Sequence, residues 1–168
     1  MERLWAWWRA AYVTSAANGE GAPEPNGSLF RRILESGLPD EQTRIVWRGE
    51  RNFAILNAYP YTSGHVLVMP YREVGELEDL GEEEAAELWS AVTQAVAAVK
   101  TAYQPQGVNV GLNLGEAAGA GVPSHLHVHV LPRWSADSNF MTAVAETRVL
   151  PESLDDSWRK LRAAWSSP

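Results

Sequence analysis

Leu88, Val92, Val96 and Val99 recur at spacings of four, four and three residues, a step that keeps apolar side chains on one side of a helix. Acids crowd the start of that stretch, where a helix N-terminus favours negative charge, so residues 82–101 are expected to form the longest helix. Shorter runs rich in β-branched and aromatic residues occupy 44–47, 52–57, 65–69, 107–114 and 125–131, and they predict strands. The first two flank Arg48-Gly49-Glu50-Arg51 and read as a hairpin, while Pro70 closes the third. A short helix over 29–36 is expected to stop at Gly37, with Pro39 beyond it. A last helix over 151–165 opens on Pro151 and has acids early. Residues 1–17 carry Trp5, Trp7, Trp8 and Tyr12 as a short helix or arm, and residues 18–28 form a loop rich in Gly, Pro and Asn. Antiparallel strands with one long helix packed across them make the class α+β.

Length agrees with one domain over residues 1–168, divided into an N-terminal arm and loop (1–28), a core (29–134) and a C-terminal extension with its helix (135–168). The net charge of −7 argues against a general nucleic-acid binder, so an anionic ligand must meet a local site rather than a global field. There is no cysteine, which excludes disulfides, thiolate zinc ligands and cysteine nucleophiles. No stretch reaches the roughly 18 apolar residues of a membrane span, and the charged, aromatic start does not read as a signal peptide. A cytoplasmic location is expected.

Three of the four histidines fall in His125-Leu126-His127-Val128-His129-Val130-Leu131. On a strand, alternate residues share a face, so three imidazoles point one way and Leu126, Val128 and Val130 the other. An exposed strand face is one reading, but His there packs no better than Thr or Lys. A metal site is a second, although His125 and His129 would lie roughly 13 Å apart along a strand. A third ligand would then come from His65 or Glu116. The third reading is nucleophilic catalysis, in which a neutral imidazole attacks phosphorus and its neighbours donate to phosphate oxygens and the leaving group. The loop from Gly115 to Ser124, with glycines at 115, 119 and 121, would let backbone N–H groups approach an anion closely.

The His-x-His-x-His run, followed by Val130-Leu131-Pro132-Arg133, resembles the signature of the histidine triad (HIT) family of nucleotide hydrolases and transferases. Phe53-Ala54-Ile55-Leu56-Asn57, Gly64-His65-Val66-Leu67-Val68-Met69-Pro70 and Asn109-Val110-Gly111-Leu112-Asn113-Leu114 match it further, and the likeness runs from residue 1 to about 165. Met1-Glu2-Arg3-Leu4-Trp5 and the tract from Pro132-Arg133-Trp134 to Asn139-Phe140-Met141 resemble the branch that holds the fragile histidine triad protein and bacterial diadenosine tetraphosphate phosphorylases.

The resemblance implies a HIT-like fold and cleavage of a dinucleoside polyphosphate, or another adenine nucleotide, through a nucleotidyl-histidine resolved by water or phosphate. It makes His127 the nucleophile, with His125 and His129 flanking it and His65 supporting the row from a neighbouring strand. Asn57 matches a ribose-binding position, Asn113 a polar residue beside the α-phosphate, and Leu29 and Phe30 apolar residues that enclose the purine. Trp134 is placed along the substrate groove, and Gly121 in the phosphate loop. Ala120, Gly121 and Pro123 stand where some relatives have Ser or Gln near the bridging phosphates, and His129 stands where the sugar-phosphate transferases have Gln.

Many relatives bind a structural zinc through Cys-x-x-Cys and further histidines. Here Ser28-Leu29-Phe30-Arg31 and Glu73 occupy those places, so no zinc and no tightly bound cofactor are expected, and the substrate can arrive as a magnesium complex. A homodimer or homotetramer is expected, built on the long helix, residues 107–114 and the N-terminal aromatics. Small and branched residues (Ala91, Val92, Ala95, Val96, Ala98 and Val99) would let the helices of two subunits approach. The alternatives are a metal-dependent enzyme using the His row and a non-catalytic nucleotide-binding protein.

Overall fold

The structure, a computed structural model, describes residues 27–137 and 151–165. The expected arm over 1–17 and the tract through Phe140 lie outside the described residues. Helix α1 (Leu29–Glu35) starts at Ser28, whose hydroxyl accepts the Arg31 N–H at 3.2 Å. After the single turn of α2 (Asp40–Thr43), Arg44 turns the chain in the left-handed region at φ 65°. Strands β1 (Ile45–Arg48), β2 (Asn52–Leu56) and β3 (Val66–Pro70) follow as an antiparallel meander. Helix α3 (Glu82–Tyr103) then leads to β4 (Gly107–Leu112), β5 (Val128–Arg133) and helix α4 (Leu154–Ala164). The five strands form one antiparallel sheet in the order β1-β2-β3-β5-β4, so the expected α+β arrangement holds.

Several boundaries differ from expectation, and three of the differences are instructive. Strand β4 ends at Leu112, two residues early. The last helix begins at Leu154 rather than Pro151, because the Ser153 hydroxyl accepts the Asp156 N–H at 3.1 Å and sets the start there. The histidine strand begins at Val128, not His125. Pro70 sits at the β5 side of β3 without an N–H, so the β3–β5 ladder stops after Val68 and Val128. The Leu126 N–H goes instead to the carbonyl of Val74 at 2.6 Å. His125 and His127 therefore lie on an irregular lead-in to the strand.

The two faces of the sheet have different tasks. Ala54, Leu56, Val66, Val68, Val128 and Val130 meet Leu88, Ala91, Val92, Ala95 and Val99 of α3 in the larger core. Full burial of each large side chain is worth roughly 1.5–3 kcal/mol, which makes this face the main source of stability. The small residues of α3 are thus buried against their own sheet, which corrects the expectation that they build a subunit contact. Phe53, Ile55, Leu67 and Met69 on the other face meet Phe30 of α1 in a smaller core. That face also carries the imidazoles.

Helix α4 closes one edge of the sheet. A bulge between Ile45 and Trp47 interrupts the ladder, and the Trp158 indole N–H and the Arg162 guanidinium donate to the carbonyls of Ile45 and Val46, each at 2.8 Å. The Trp165 ring stacks on Trp47 with centroids 5.8 Å apart. Strand β4 is the opposite edge, and its Val110 is 45% exposed.

The β1–β2 turn is tied to α3 by one carboxylate. Glu87 accepts the backbone N–H groups of Glu50 and Arg51 and the Asn52 side-chain amide, at 2.8, 2.7 and 2.7 Å. Burial opposes its ionisation, but the Asn52 amide and the turn N–H groups outweigh burial and hold its pKa below the usual 4.5. Glu87→Gln should therefore destabilise the protein by about 1–2 kcal/mol at pH 7. A carboxylate with a lowered folded pKa stabilises above its unfolded value and loses that contribution as pH falls through the folded one. The wild-type advantage should shrink below about pH 4.3, and urea unfolding of both proteins at pH 7 and pH 3.5 checks it; an equal gap at both would contradict the clamp.

Candidate active site

The imidazoles gather on the α1 face, and their hydrogen bonds assign their protons. His127 is 6% exposed, and its Nδ1 lies 2.8 Å from the carbonyl of His125. A carbonyl can only accept, so Nδ1 carries the proton and Nε2 keeps the lone pair. His125 is fully buried, with Nε2 at 2.8 Å from the Pro70 carbonyl, so its proton is on Nε2 and its lone pair on Nδ1.

A second chain of bonds fixes His129. The Tyr61 backbone N–H donates to His65 Nδ1 at 3.2 Å, and the Asn57 amide nitrogen lies 3.3 Å from the same atom. His65 Nδ1 is therefore the acceptor, and Nε2–H donates to His129 Nδ1 at 2.9 Å. His129 is left with its proton on Nε2, a buried atom without a partner among the described residues. An orphaned buried donor beside a neighbouring lone pair marks where a ligand acceptor belongs. The His127 and His129 rings stand 5.0 Å apart between centroids, so the His127 ring lies next to that unpartnered N–H.

Burial sets the charge of the row. It holds the pKa of His127 below the usual imidazole value despite the His125 carbonyl, and lowers His125 against the opposing effect of Pro70 and Glu73. His129 is pushed down to about 4 by burial and then by the neighbouring His127. All three rings are neutral at pH 7, as nucleophilic attack through a lone pair requires.

The other expected residues divide. Phe30 packs on His125 and His127 with ring centroids at 5.4 and 5.5 Å, joining the smaller core to the row. Leu29, on the same helix, is 46% exposed. Asn57 lies opposite His65 in the β2–β3 hairpin, and its Oδ1 accepts the Tyr59 N–H at 2.9 Å. Both ends of that side chain are thus engaged internally, at the turn and at His65. Gly111 pairs with His129 and Leu112 with Val128, the last pair of that ladder, and Asn113 follows directly after it.

Gly121 lies in the loop before the row and is exposed, but the N–H groups of Ala118, Gly119 and Ala120 point back to the carbonyls of Gly115 and Glu116. Trp134 is not brought to the imidazoles: its ring stands edge-on to Tyr103, 6.3 Å away at the end of α3. Tyr103 itself packs against the larger core.

Two residues of the site escaped the sequence. Tyr61 lies over both His65 and His129, with centroids at 4.7 and 5.8 Å, and its backbone N–H starts the second chain of bonds. Nothing in its local sequence predicts this, because the turn between β2 and β3 brings it there. Ser28 reaches His125 Nδ1 at 2.8 Å. A serine before a helix announces a cap, but not a partner 97 residues away.

The family model of the HIT domain matches residues 39–136. The chain is 42% identical over 171 residues to the AP-4-A phosphorylase of Mycobacterium tuberculosis, covering 99% of this chain and 85% of that protein. It is 35% identical over 95 residues to the asymmetrical bis(5′-nucleosyl)-tetraphosphatase of Schizosaccharomyces pombe, which covers 56% of this chain and 52% of that one. The solved structure of a Zn-bound histidine triad family protein from Mycobacterium smegmatis is similar at a TM-score of 0.66 and 29% identity, covering 82% of this chain and 92% of that one. The chain belongs to the histidine triad (HIT) family.

The neutral row makes the fold sensitive to acid. Unfolded histidine has a pKa near 6.5, and His129 folded has one of about 4, so the unfolded state binds the extra proton between those values. Stability should fall as pH drops from about 6.5 to about 4, with His125 and His127 acting in the same direction. His129→Gln, which cannot titrate there, should lessen that slope. Urea unfolding of both proteins between pH 7.5 and 4.5 measures it, and identical slopes would contradict a neutral His129.

Proposed function

We propose that this chain cleaves dinucleoside polyphosphates, with diadenosine tetraphosphate as the representative substrate, through a nucleotidyl group carried on His127. The observation that carries the reading is the lone pair on His127 Nε2 beside the unpartnered, buried N–H of His129. The names of the relatives from M. tuberculosis and S. pombe support the same substrate class.

In the first step His127 Nε2 attacks the α-phosphorus, the bond to the bridging oxygen breaks, and ATP leaves. The developing charge on the leaving oxygen accepts the hydrogen bond of His129 Nε2–H, a donor aimed in advance by His65. The His125 carbonyl stabilises the positive charge that His127 acquires, through Nδ1–H. In the second step water attacks the phosphorus and yields AMP, or phosphate attacks and yields ADP, and His127 is restored. Neutral imidazoles suit an anionic substrate that is itself neutralised in part, which is consistent with delivery as a magnesium complex. The packing of Phe30 against His127 supports its role at the base, and Asn113, just past the end of β4, is assigned the phosphate contact.

Product analysis tests the reading. Diadenosine tetraphosphate should give ATP with AMP in water, or ATP with ADP once phosphate is present. His127→Gly should lower turnover by more than about a thousandfold while nucleotide binding persists. Residual turnover within about tenfold of wild type would sink the nucleophile assignment.

The proposal extends to the assembly and its metal content. A homodimer or tetramer is supported by the edge of β4, which no strand among the described residues pairs, and by Trp89, 44% exposed on the outer side of α3. A protein without structural zinc is supported by the donors at the place where relatives hold it. The Ser28 hydroxyl is engaged between Arg31 and His125, and Arg31 brings a cation paired with Glu35. Among the described residues no helix is long and apolar enough to cross a membrane. Native mass spectrometry reads both properties at once: a metal-free mass of two or four chains is expected, and a monomer or one zinc per chain would overturn the respective half.

A further inference from the structure

Three segments distant in sequence meet at Ser28. Its backbone N–H donates to Glu73 Oε2 at 3.0 Å, beyond the end of β3. Its hydroxyl oxygen accepts the Arg31 N–H at 3.2 Å and stands 2.8 Å from His125 Nδ1. Because His125 Nε2–H is committed to the Pro70 carbonyl, Nδ1 holds a lone pair and the hydroxyl must donate to it. Ser28 is 6% exposed, so its bond to the ring is formed away from bulk water. The His125 ring is thereby held at both nitrogens, from α1 on one side and from the end of β3 on the other.

We propose that Ser28 is a positioning residue of the active site, which holds His125 so that its carbonyl stays aligned on His127 Nδ1–H. The proposal rests on His127 being the nucleophile. Without the hydroxyl the His125 ring keeps one anchor and can pivot about the bond to Pro70, and a buried lone pair loses its donor. The peptide that follows the ring carries the carbonyl that aims His127, so freedom in the ring reaches the attacking nitrogen. Phe30 packs on both rings from the first turn of the same helix, so the hydroxyl and the aromatic ring hold α1 and the row as one unit.

Ser28 also caps α1, and a cap alone would stabilise the fold without touching the chemistry. Three variants separate these roles. Ser28→Gly removes the hydroxyl yet costs a helix N-terminus little, because glycine is a tolerated cap. Ser28→Ala removes the hydroxyl and costs more in stability, and Ser28→Thr keeps the donor. Turnover of diadenosine tetraphosphate should fall about tenfold in kcat in both Gly and Ala variants, with a smaller change in KM, and should be restored in Thr. Nitrogen-15 spectra of the ring in the unliganded proteins should show His125 Nδ1 as an accepting nitrogen in wild type and Thr, with that signature lost in Gly and Ala.

A kcat that follows thermal stability instead, near wild type in Gly and reduced in Ala, would mean that Ser28 only caps the helix and would overturn the proposal. Unchanged ring spectra in Gly and Ala would do the same. If wild type forms no nucleotidyl-His127, the functional reading fails on its own evidence, while the ring spectra still decide whether Ser28 holds His125.

Discussion

Pro70 ends a strand without an N–H to give, and the site is arranged around that missing donor. Had β3 carried an ordinary residue there, the ladder with β5 could have run on through Leu126 and kept the His125–His127 segment in regular pairing. Instead the Pro70 carbonyl is taken by the His125 ring, and Leu126 turns its N–H to Val74. The backbone that leaves the ladder can then bring the His125 carbonyl within 2.8 Å of its own neighbour's ring at His127. A defect in sheet pairing thus becomes the device that sets the proton on one side of the His127 ring and the lone pair on the other.

The sheet separates stability from chemistry by its two faces. Leu126, Val128 and Val130 lock the histidine segment into the larger core beneath α3. That burial fixes the backbone firmly enough that imidazoles on the opposite face hold their positions within hydrogen-bond tolerance. The smaller core under α1 does a second job, since Phe30 belongs to it and also lines the row. Helix α4 contributes from a distance by satisfying the carbonyls left open at the β1 bulge, which keeps that edge of the sheet from pairing elsewhere.

Electrostatically the site works by direction rather than by net charge. The chain carries −7 overall, and the imidazoles of His125, His127 and His129 are held neutral by burial. What it offers an incoming phosphate is a lone pair and an oriented N–H, each fixed by a partner that can bond in only one sense. The Tyr61 backbone N–H cannot accept and the His125 carbonyl cannot donate, so neither tautomer has a free choice. Preorganised dipoles of this kind need no rearrangement when charge develops.

The spacing of His125, His127 and His129 with apolar residues between them determined, without any structure, that three imidazoles share one face and that the segment is anchored in a core. The helix over Glu82–Tyr103, the hairpin around Gly49 and the capped helix after Ser28 were equally legible, because each rests on local periodicity, turn residues and caps. The sequence could not show that the strand starts only at Val128, that Trp134 turns to Tyr103, or that the small residues of α3 face their own sheet. Nor could it show Ser28 and Tyr61 beside the imidazoles, or which nitrogen of each ring bears the proton. Those depend on partners brought together across long stretches of chain, and a tautomer is chosen by the group opposite each nitrogen, which only the packed fold supplies.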